Sequence, residues 1–312
     1  MVPNYHAKRY LTFLSLGFLV LAIFSNAIAS DNGTAAADFL NIGMGARGCA
    51  LGGAFTAVSD DASSVYWNPG GLTAVSETQL IFSHYAWYQD MSLEHLALAH
   101  SVSDRLTVGF ATSYMSYGRI EGYNEYDVPT GEVNSVYDLM VGISAGYNLV
   151  DYFSAGFTTK LIVLSLADVT ATSIALDLGL KYEYNQFLMG FSLANLGGSP
   201  KFRQYSENLP LLIRLGVGAR LFDEQFLTTL EVENQFHGSM KIKNGYEAKL
   251  QDRYFVRAGY ALYPGQDGSH LNQDLSFGVG AFLGPAAFDY TFSPQDDFSS
   301  ESLHRFSISL LL

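Results

Sequence analysis

The chain has 312 residues, of which 14% are aromatic, and a formal net charge of −13. The acidic balance argues against nucleic-acid binding, which requires a basic surface, and the single cysteine, Cys49, excludes an internal disulfide framework. The mean hydropathy of +0.12 is too low for a helical membrane protein, so a role in a membrane must come from strands.

The N-terminus has the pattern of a secretory signal peptide. Lys8 and Arg9 precede an apolar stretch at 11–24 and a small-x-small cleavage site. We therefore expect residues 1–29 to be removed and the mature chain to begin at Ser30. A membrane anchor that stays attached is the alternative, but the apolar stretch is short of the roughly 20 residues that a spanning helix needs.

The next segment, 30–76, is rich in glycine and alanine and does not alternate between polar and apolar residues. Small residues allow close backbone packing in a confined space, so we predict that this segment forms a plug, or hatch, inside a barrel mouth. Asp60 and Ser63 are candidate caps of a short helix. The motif Asn68-Pro69-Gly70 predicts a turn, because proline presets φ and glycine permits positive φ. The candidate ligand or hatch residues are Asp60, Asp61, Trp67, Asn68 and Pro69.

Residues 77–312 predict an all-β fold, a transmembrane antiparallel up-and-down β-barrel of about 14 strands. The typical candidate length of about 9–13 residues matches a tilted membrane strand. The same patterning also suits a soluble sheet with one wet face, but strands in soluble sheets are usually shorter. The fourteen candidates are 78–86, 92–101, 105–117, 137–149, 153–165, 170–184, 186–196, 211–222, 226–236, 242–250, 254–262, 272–283, 286–294 and 302–312.

Every second connection between these candidates is very short. Tight turns at one rim and longer loops at the other are typical of outer-membrane barrels, whereas a soluble sandwich has no reason to sort its loops in this way. The longest connections are expected at 118–136, 197–210 and 263–271. The short ones are 102–104, 150–152, 185–186, 223–225, 252–253 and 284–285.

Apolar and polar residues alternate within the strands with the period of two that a wall between lipid and lumen requires. Ile213, Leu215 and Val217 share one face, whereas Arg214 and Arg220 share the other. A charge facing hydrocarbon at mid-bilayer would cost about 2–4 kcal/mol, so we assign the charged faces to a polar lumen. Such charges either line a water channel or form a salt-bridged network that holds a plug, and the glycine-rich segment favours the second role. The predicted lumen charges are Lys160, Asp177, Lys181, Arg214, Arg220, Glu231, Glu233, Arg257 and Asp289.

Aromatic residues gather at the strand ends, as in the two interface belts of a membrane barrel. Those expected near the short turns are Tyr182, Tyr184, Phe187, Phe222, Phe226 and Tyr254. Those expected near the long loops are Tyr85, Tyr117, Tyr137, Phe236 and Phe292.

The last strand candidate is apolar at alternate positions and ends at Leu312. It resembles the C-terminal signal that the bacterial barrel-assembly machinery reads, although phenylalanine is the usual last residue. This resemblance implies that machinery as a partner.

The N-terminal motifs resemble a known family. Met44-Gly45-Ala46-Arg47, Leu51-Gly52-Gly53-Ala54-Phe55 and Trp67-Asn68-Pro69 are similar to the N-terminal signature of the PorV/PorQ family, which is itself similar to the FadL-type long-chain fatty-acid transporters. The C-terminal motifs Phe288-Asp289-Tyr290 and His304-Arg305-Phe306 also resemble that family. Membership implies a fourteen-stranded outer-membrane barrel with an N-terminal hatch. Gly70 replaces the alanine of the family's Asn-Pro-Ala motif, which leaves the ligand-gating role of that motif open here.

We predict no enzymatic activity, no cofactor and no metal, because no Ser/His/Asp grouping stands on a recognisable catalytic turn and the pair Asp60 and Asp61 suits a cap or a solvated turn better than a metal site. The family resemblance implies a component of type IX-like protein secretion or surface attachment, with secretion subunits or cargo as partners. The alternative is a FadL-like transporter of hydrophobic small molecules, such as long-chain fatty acids, through the barrel wall. Both functions place the barrel in outer-membrane lipid.

Overall fold

The computed structural model describes residues 36–86, 91–124, 126, 128–236, 238–264, 273–294 and 302–312. The predicted signal peptide lies outside these residues. The fold is a closed barrel that surrounds the N-terminal segment.

Fourteen long strands form one closed antiparallel barrel, in which each wall strand pairs with the next and β1 closes the ring against β16. This confirms the predicted all-β barrel and its strand count. A small hairpin, β8–β9, lies in the connection between β7 and β10 and is separate from the wall. The strands are β1 (Thr78–Ala86), β2 (Ser92–Ser103), β3 (Leu106–Tyr123), β4 (Pro129–Val150), β5 (Phe153–Leu166), β6 (Val169–Tyr184), β7 (Phe187–Gly197), β8 (Lys201–Phe202), β9 (Tyr205–Ser206), β10 (Leu212–Leu221), β11 (Phe226–Gln235), β12 (Met240–Leu250), β13 (Tyr254–Leu262), β14 (Gln273–Leu283), β15 (Ala286–Ser293) and β16 (Leu303–Leu311).

The seam between β1 and β16 also touches the enclosed segment. Ser83 and Ser307 face each other across this seam, with their hydroxyl oxygens 2.8 Å apart. The Ser307 hydroxyl in addition accepts a hydrogen bond from the backbone N–H of Ala46 at 2.8 Å. The strand that closes the ring is therefore bonded to the segment inside it.

The short turns lie where the sequence predicts them, but the connection at 118–136 is shorter than predicted. In the described part of the chain, β3 pairs with β2 as far as Ser116, and β4 pairs with β5 as far as Val136. Both strands extend beyond these residues, away from the short turns. From there the two strands pair with each other as far as Tyr123 and Pro129. The polar, glycine-containing sequence indicated a loop, but two segments that run side by side satisfy their backbone groups by pairing.

The outward faces of the wall are apolar, as predicted. On β6, Ile174 and Leu178 are 66% and 41% exposed, whereas Asp177 and Lys181 on the inward face are 0% and 4% exposed. This is the arrangement of a wall with lipid outside and polar groups in the lumen.

Two residues of the predicted aromatic belts face the lumen and not the lipid. Tyr85 is 3% exposed and shares the inward face of β1 with Ile81. Tyr117 donates a hydrogen bond of 2.7 Å from its hydroxyl to the buried Asp138. Both lie near the long loops, but the alternation along the strand decides which side a residue faces.

We expect Val217→Arg to impair barrel assembly, because Val217 lies on the outward face of β10 and a charge in hydrocarbon costs about 2–4 kcal/mol. Arg220→Ala on the same strand is the control. It removes partly exposed ion pairs with Asp60 and Glu183, and such pairs contribute up to about 1 kcal/mol each. Electrophoresis without heating measures the fraction of folded barrel. Equal tolerance of the two substitutions would contradict the face assignment.

Residues 36–76, hereafter the plug, run inside the barrel as a series of short turns. Phe39, Leu51, Phe55 and Leu72 are at most 1% exposed. The plug contacts the inner faces of β4–β6 on one side and of β13–β16 on the other. No helix in the described ranges is long and apolar enough to cross a membrane. The helical turns of the plug are Asp38–Asn41, Ala46–Ala50, Ser64–Trp67 and Pro69–Ala74.

Candidate functional site

The motif Asn68-Pro69-Gly70 forms the predicted turn and is fully buried against β6. The Asn68 side-chain oxygen accepts the N–H of Gly70 at 3.1 Å, so it caps the helical turn that begins at Pro69. The Asn68 amide nitrogen donates to the carbonyls of Thr56 in the plug and Leu180 in the wall, both at 2.9 Å. Asn68 therefore joins two parts of the plug to each other and to β6.

We expect Asn68→Asp to loosen the plug, because an ionised carboxylate has no N–H for the two carbonyl oxygens and repels them. A buried polar group that loses its partner costs about 1–3 kcal/mol. Trypsin cleavage after Arg47 in the folded barrel measures the loosening. The control is Asn148→Asp, which removes one exposed hydrogen bond to the carbonyl of Asp104. Equal cleavage rates for the two variants would show that Asn68 does not hold the plug.

Wall glycines provide the surface on which the plug backbone rests. Gly156 and Gly179 are paired neighbours on β5 and β6, and a Cβ atom at either position would overlap Pro69. Gly259 on β13 faces the backbone of Gly52 in the same way. Because these wall positions carry no side chain, the plug can approach the wall within backbone contact on both sides of the lumen.

Polar wall side chains take up the hydrogen-bonding groups of the irregular plug backbone. Lys181 donates to the carbonyls of Val58 and Ser59 at 2.8 and 3.1 Å. Glu231 accepts the N–H of Thr56 at 2.9 Å. These bonds satisfy a segment that has little regular structure of its own. Further wall donors to plug carbonyls are Ser154, Thr158, Ser276 and Thr291.

Asp60 does not cap a helix. It forms ion pairs with Arg47 in the plug and with Arg220 in β10. Burial opposes ionisation of Asp60, but the charges of Arg47, Lys181 and Arg220 outweigh it, and the pKa of Asp60 falls to about 2. Asp60 is therefore an ionised link between plug and wall.

Asp61 forms a local turn with Ser63 just before the helical turn Ser64–Trp67, in place of the predicted cap. It accepts hydrogen bonds from the N–H and the hydroxyl of Ser63, at 2.8 and 2.5 Å, whereas Ser63 makes no side-chain cap bond to the turn Ser64–Trp67. Burial and the nearby charge of Asp60 raise the pKa of Asp61 against the opposing charge of Arg47.

All of the predicted lumen charges lie on inward faces, and each one contacts an opposite charge. Lys160 and Asp177 are 2.6 Å apart and almost completely buried. Glu233 on β11 binds Arg214 and Lys243, both at 2.7 Å. Lys243 was not predicted from the sequence, because the region around β12 was interpreted only as a weak, polar strand, although its charges fall on alternate positions.

A second network connects the plug to β12–β15. Arg257 binds Glu247 and Asp289 at 2.6 Å each. Glu247 also binds Arg47 of the plug at 3.0 Å. Glu247, like Lys243, was not predicted because its strand β12 was interpreted as weak and polar. The lumen charges thus form ion pairs, several of which reach the plug.

Trp67 lies at the centre of the plug and is 2% exposed. Its indole N–H donates to the carbonyl of Met44 at 2.8 Å, and the ring of Tyr66 stands nearly perpendicular to it at 4.9 Å. The guanidinium of Arg214 lies 5.6 Å from the ring centroid, a cation–π contact. Trp67 therefore links the fold of the plug to the charged wall.

One sector of the lumen is apolar, which was not predicted from the sequence. Phe39, Leu40 and Met44 of the plug pack against it. One signal was present in β5, where residues 161–164 are apolar on both faces, as in a strand buried on both sides. This apolar sector consists of the inward side chains of Tyr85, Leu93, Met115, Met140, Ile162 and Leu164, each at most 4% exposed.

A polar cavity of about 140 Å³ lies between the plug and the wall from β11 to β16. Lys241, Lys243 and Arg305 line it together with Glu233 and Asp274. Charges of both signs favour water or a polar group in this cavity over hydrocarbon. The lumen is thus divided between an apolar sector that the plug fills and a polar cavity beside it.

Across the described ranges, no cluster of three or more His, Cys, Asp or Glu side chains has the arrangement of a metal site.

Known proteins share this architecture. The toluene transporter TbuX of Ralstonia pickettii superposes with a TM-score of 0.64 at 15% identity, covering 86% of this chain and 98% of that one. The toluene transporter TodX of Pseudomonas putida gives 0.64 at 14% identity, with 86% and 97% covered. A FadL homologue of Pseudomonas aeruginosa gives 0.55 at 11% identity, with 90% and 99% covered.

The chain has the fold of the FadL-type barrels. A closed barrel with an apolar outer face suits a membrane, because its strands pair with one another around the ring and leave no open sheet edge toward lipid. The barrel lies in the bacterial outer membrane. The profile of UPF0164, an uncharacterised protein family, matches residues 25–164, and no curated protein sequence matches the chain. These comparisons do not confirm the PorV/PorQ resemblance, which stays a prediction.

Proposed function

We propose that this FadL-type barrel is a non-catalytic transporter that admits hydrophobic small molecules through the outer membrane. The observation that carries the proposal is the apolar sector. A water-filled channel has a polar interior, whereas this lumen presents a continuous group of apolar side chains next to the long loops. The likeness in fold to two toluene transporters and to a FadL homologue supports the same function.

A ligand can enter the apolar sector only if the plug side chains that occupy it move. Phe39 and Leu40 fill the apolar sector, and they belong to the part of the plug before Gly45. The rest of the plug is fixed by Asn68 and by the hydrogen bonds of Lys181 and Glu231. In this proposal the first part of the plug withdraws while the second part stays seated, and an apolar ligand replaces the phenylalanine and leucine side chains.

Uptake of labelled toluene and of a labelled long-chain fatty acid tests the proposal, in bacteria whose own outer-membrane channels for these compounds are deleted. We expect the wild-type barrel to increase uptake several-fold over cells without it. Met140→Trp should remove most of the increase, because the larger ring fills the apolar sector. Met189→Trp is the control, since Met189 lies on the outward face of β7. Phe39→Ala should increase uptake.

Uptake equal to that of cells without the barrel would overturn the transport proposal. The second candidate would then be the secretion or surface-attachment role, which is supported by the N-terminal motif from Met44 to Pro69. Recovery of secretion subunits or exported cargo with the purified barrel would favour that role. If neither Met140→Trp nor Met189→Trp changed the uptake, the barrel would still be a transporter, but its ligand would not pass through the apolar sector.

A further inference from the structure

The lipid-facing side of the wall has an apolar groove across β13–β16. Its volume is about 470 Å³. Five of the side chains that line it are 41–53% exposed, namely Tyr254, Val279, Phe288, Phe306 and Ile308. These side chains belong to outward faces, so the groove opens toward the hydrocarbon of the membrane.

The groove exists because a small residue lies between two aromatic ones. In the strand register, Ala281 is paired with Tyr254 on one side and with Phe288 on the other. The methyl group of Ala281 leaves space between the two rings. The groove is closed toward the lumen, because the side chains of Arg257 and Asp289 lie against the inward side of Gly280.

The groove lies next to the rim of short turns, which faces the periplasm in outer-membrane barrels. Tyr254 follows the turn at 251–253, and Ala281 precedes the turn at 284–285. At this rim the carbonyl of Arg253 accepts the N–H of Phe282 at 2.9 Å, which places the backbone of Arg253 one residue from the groove residue Ala281. Arg253 is exposed and forms no ion pair with any described residue, whereas the nearby Lys249 is paired with Asp252.

We propose that this groove holds one phospholipid of the periplasmic leaflet. One acyl chain occupies the apolar groove, and the phosphate group binds the guanidinium of Arg253, which offers several N–H donors at headgroup depth. Apolar walls and an unpaired cation at the adjacent rim suit a molecule with an apolar chain and an anionic head. The site faces away from the lumen and is independent of the transport proposal.

Native mass spectrometry of the purified barrel tests the site, with palmitoyl-oleoyl phosphatidylethanolamine added in mild detergent. We expect one lipid to stay bound to the wild-type barrel. Ala281→Phe should weaken retention at least tenfold, because the ring fills the groove. Ala219→Phe, on the outward face of β10, is the matched control and should retain the lipid. Arg253→Gln should weaken retention several-fold without filling the groove.

Electrophoresis without heating shows that each variant is folded. Glycerophosphoethanolamine, which has the head group but no acyl chains, should not displace the lipid. Equal retention by Ala281→Phe and Ala219→Phe would overturn the proposal, and so would the absence of bound lipid in the wild type. A wild-type dimer that Ala281→Phe converts to a monomer would overturn it in favour of a second copy as the occupant.

Discussion

Glu233→Ala is expected to destabilise the barrel by about 3–5 kcal/mol, since removing one partner of a buried ion pair leaves an uncompensated charge. Glu233 binds Arg214 and Lys243 at 2.7 Å each and approaches Lys241 at 3.8 Å. Arg214 is 1% exposed and has no access to solvent that would replace the carboxylate. Two buried cations therefore lose their main anion in one substitution.

Urea unfolding of the barrel from lipid vesicles, followed by tryptophan fluorescence, measures this change in free energy. The control is Glu94→Ala, because Glu94 pairs with His84 where the two side chains are 36% and 42% exposed. An exposed pair contributes up to about 1 kcal/mol. Glu233→Gln, which keeps the size and one hydrogen-bond acceptor, should fall between the two. A loss below that of Glu94→Ala would mean that the buried network does not stabilise the barrel.

Gly156→Ala is expected to cost about 1–3 kcal/mol or more, the range for overpacking a well-packed interior. A Cβ atom on Gly156 would overlap the backbone of Pro69 and Gly70. Backbone atoms cannot turn away as a flexible side chain does, so either the plug or β5 must shift. We expect the plug to shift, because the wall strand is held by hydrogen bonds on both sides.

Gly142→Ala is the matched control for this substitution. Gly142 is also an inward glycine, on the adjacent strand β4, but a Cβ atom there meets only the side chains of Thr158 and Met140, at 3.3 and 3.4 Å, and of Lys160 at 3.8 Å. Urea unfolding gives the free energy for both variants, and trypsin cleavage after Arg47 reports plug release. If both alanines cost the same, the wall glycines do not form the seat of the plug.

The wall could be predicted from the sequence because each strand carries its own signal. The alternation around Arg214 and Arg220 distinguishes the lipid-facing side of the strand from the lumen-facing side. The short turns of two or three residues mark where strands end. The ribbon formed by β3 and β4 was not predictable in this way. Its pairing depends on two segments that lie side by side, and glycine and polar residues within it indicate a loop.

The candidate site was predictable only in part. The composition of the plug and the motif Asn68-Pro69 were visible, whereas the residues that bind them lie far away in sequence, such as Leu180 and Gly156. The apolar sector was hidden because inward residues such as Leu93 and Met140 match outward residues in chemistry. A single sequence shows which residues alternate, but contacts across the lumen depend on how the barrel closes.

The hydrogen bond between Ala46 and the seam residue Ser307 has a consequence for biogenesis. Ser307 belongs to the final strand, which closes the ring by pairing with the first strand. The plug precedes that first strand in the chain and contacts the inner wall on both sides of the lumen. A cylinder that sealed while empty would have to admit a bulky, irregular segment past its own rim. We therefore expect the N-terminal segment to be enclosed during insertion, so that joining the two ends of the sheet and seating the segment are a single step.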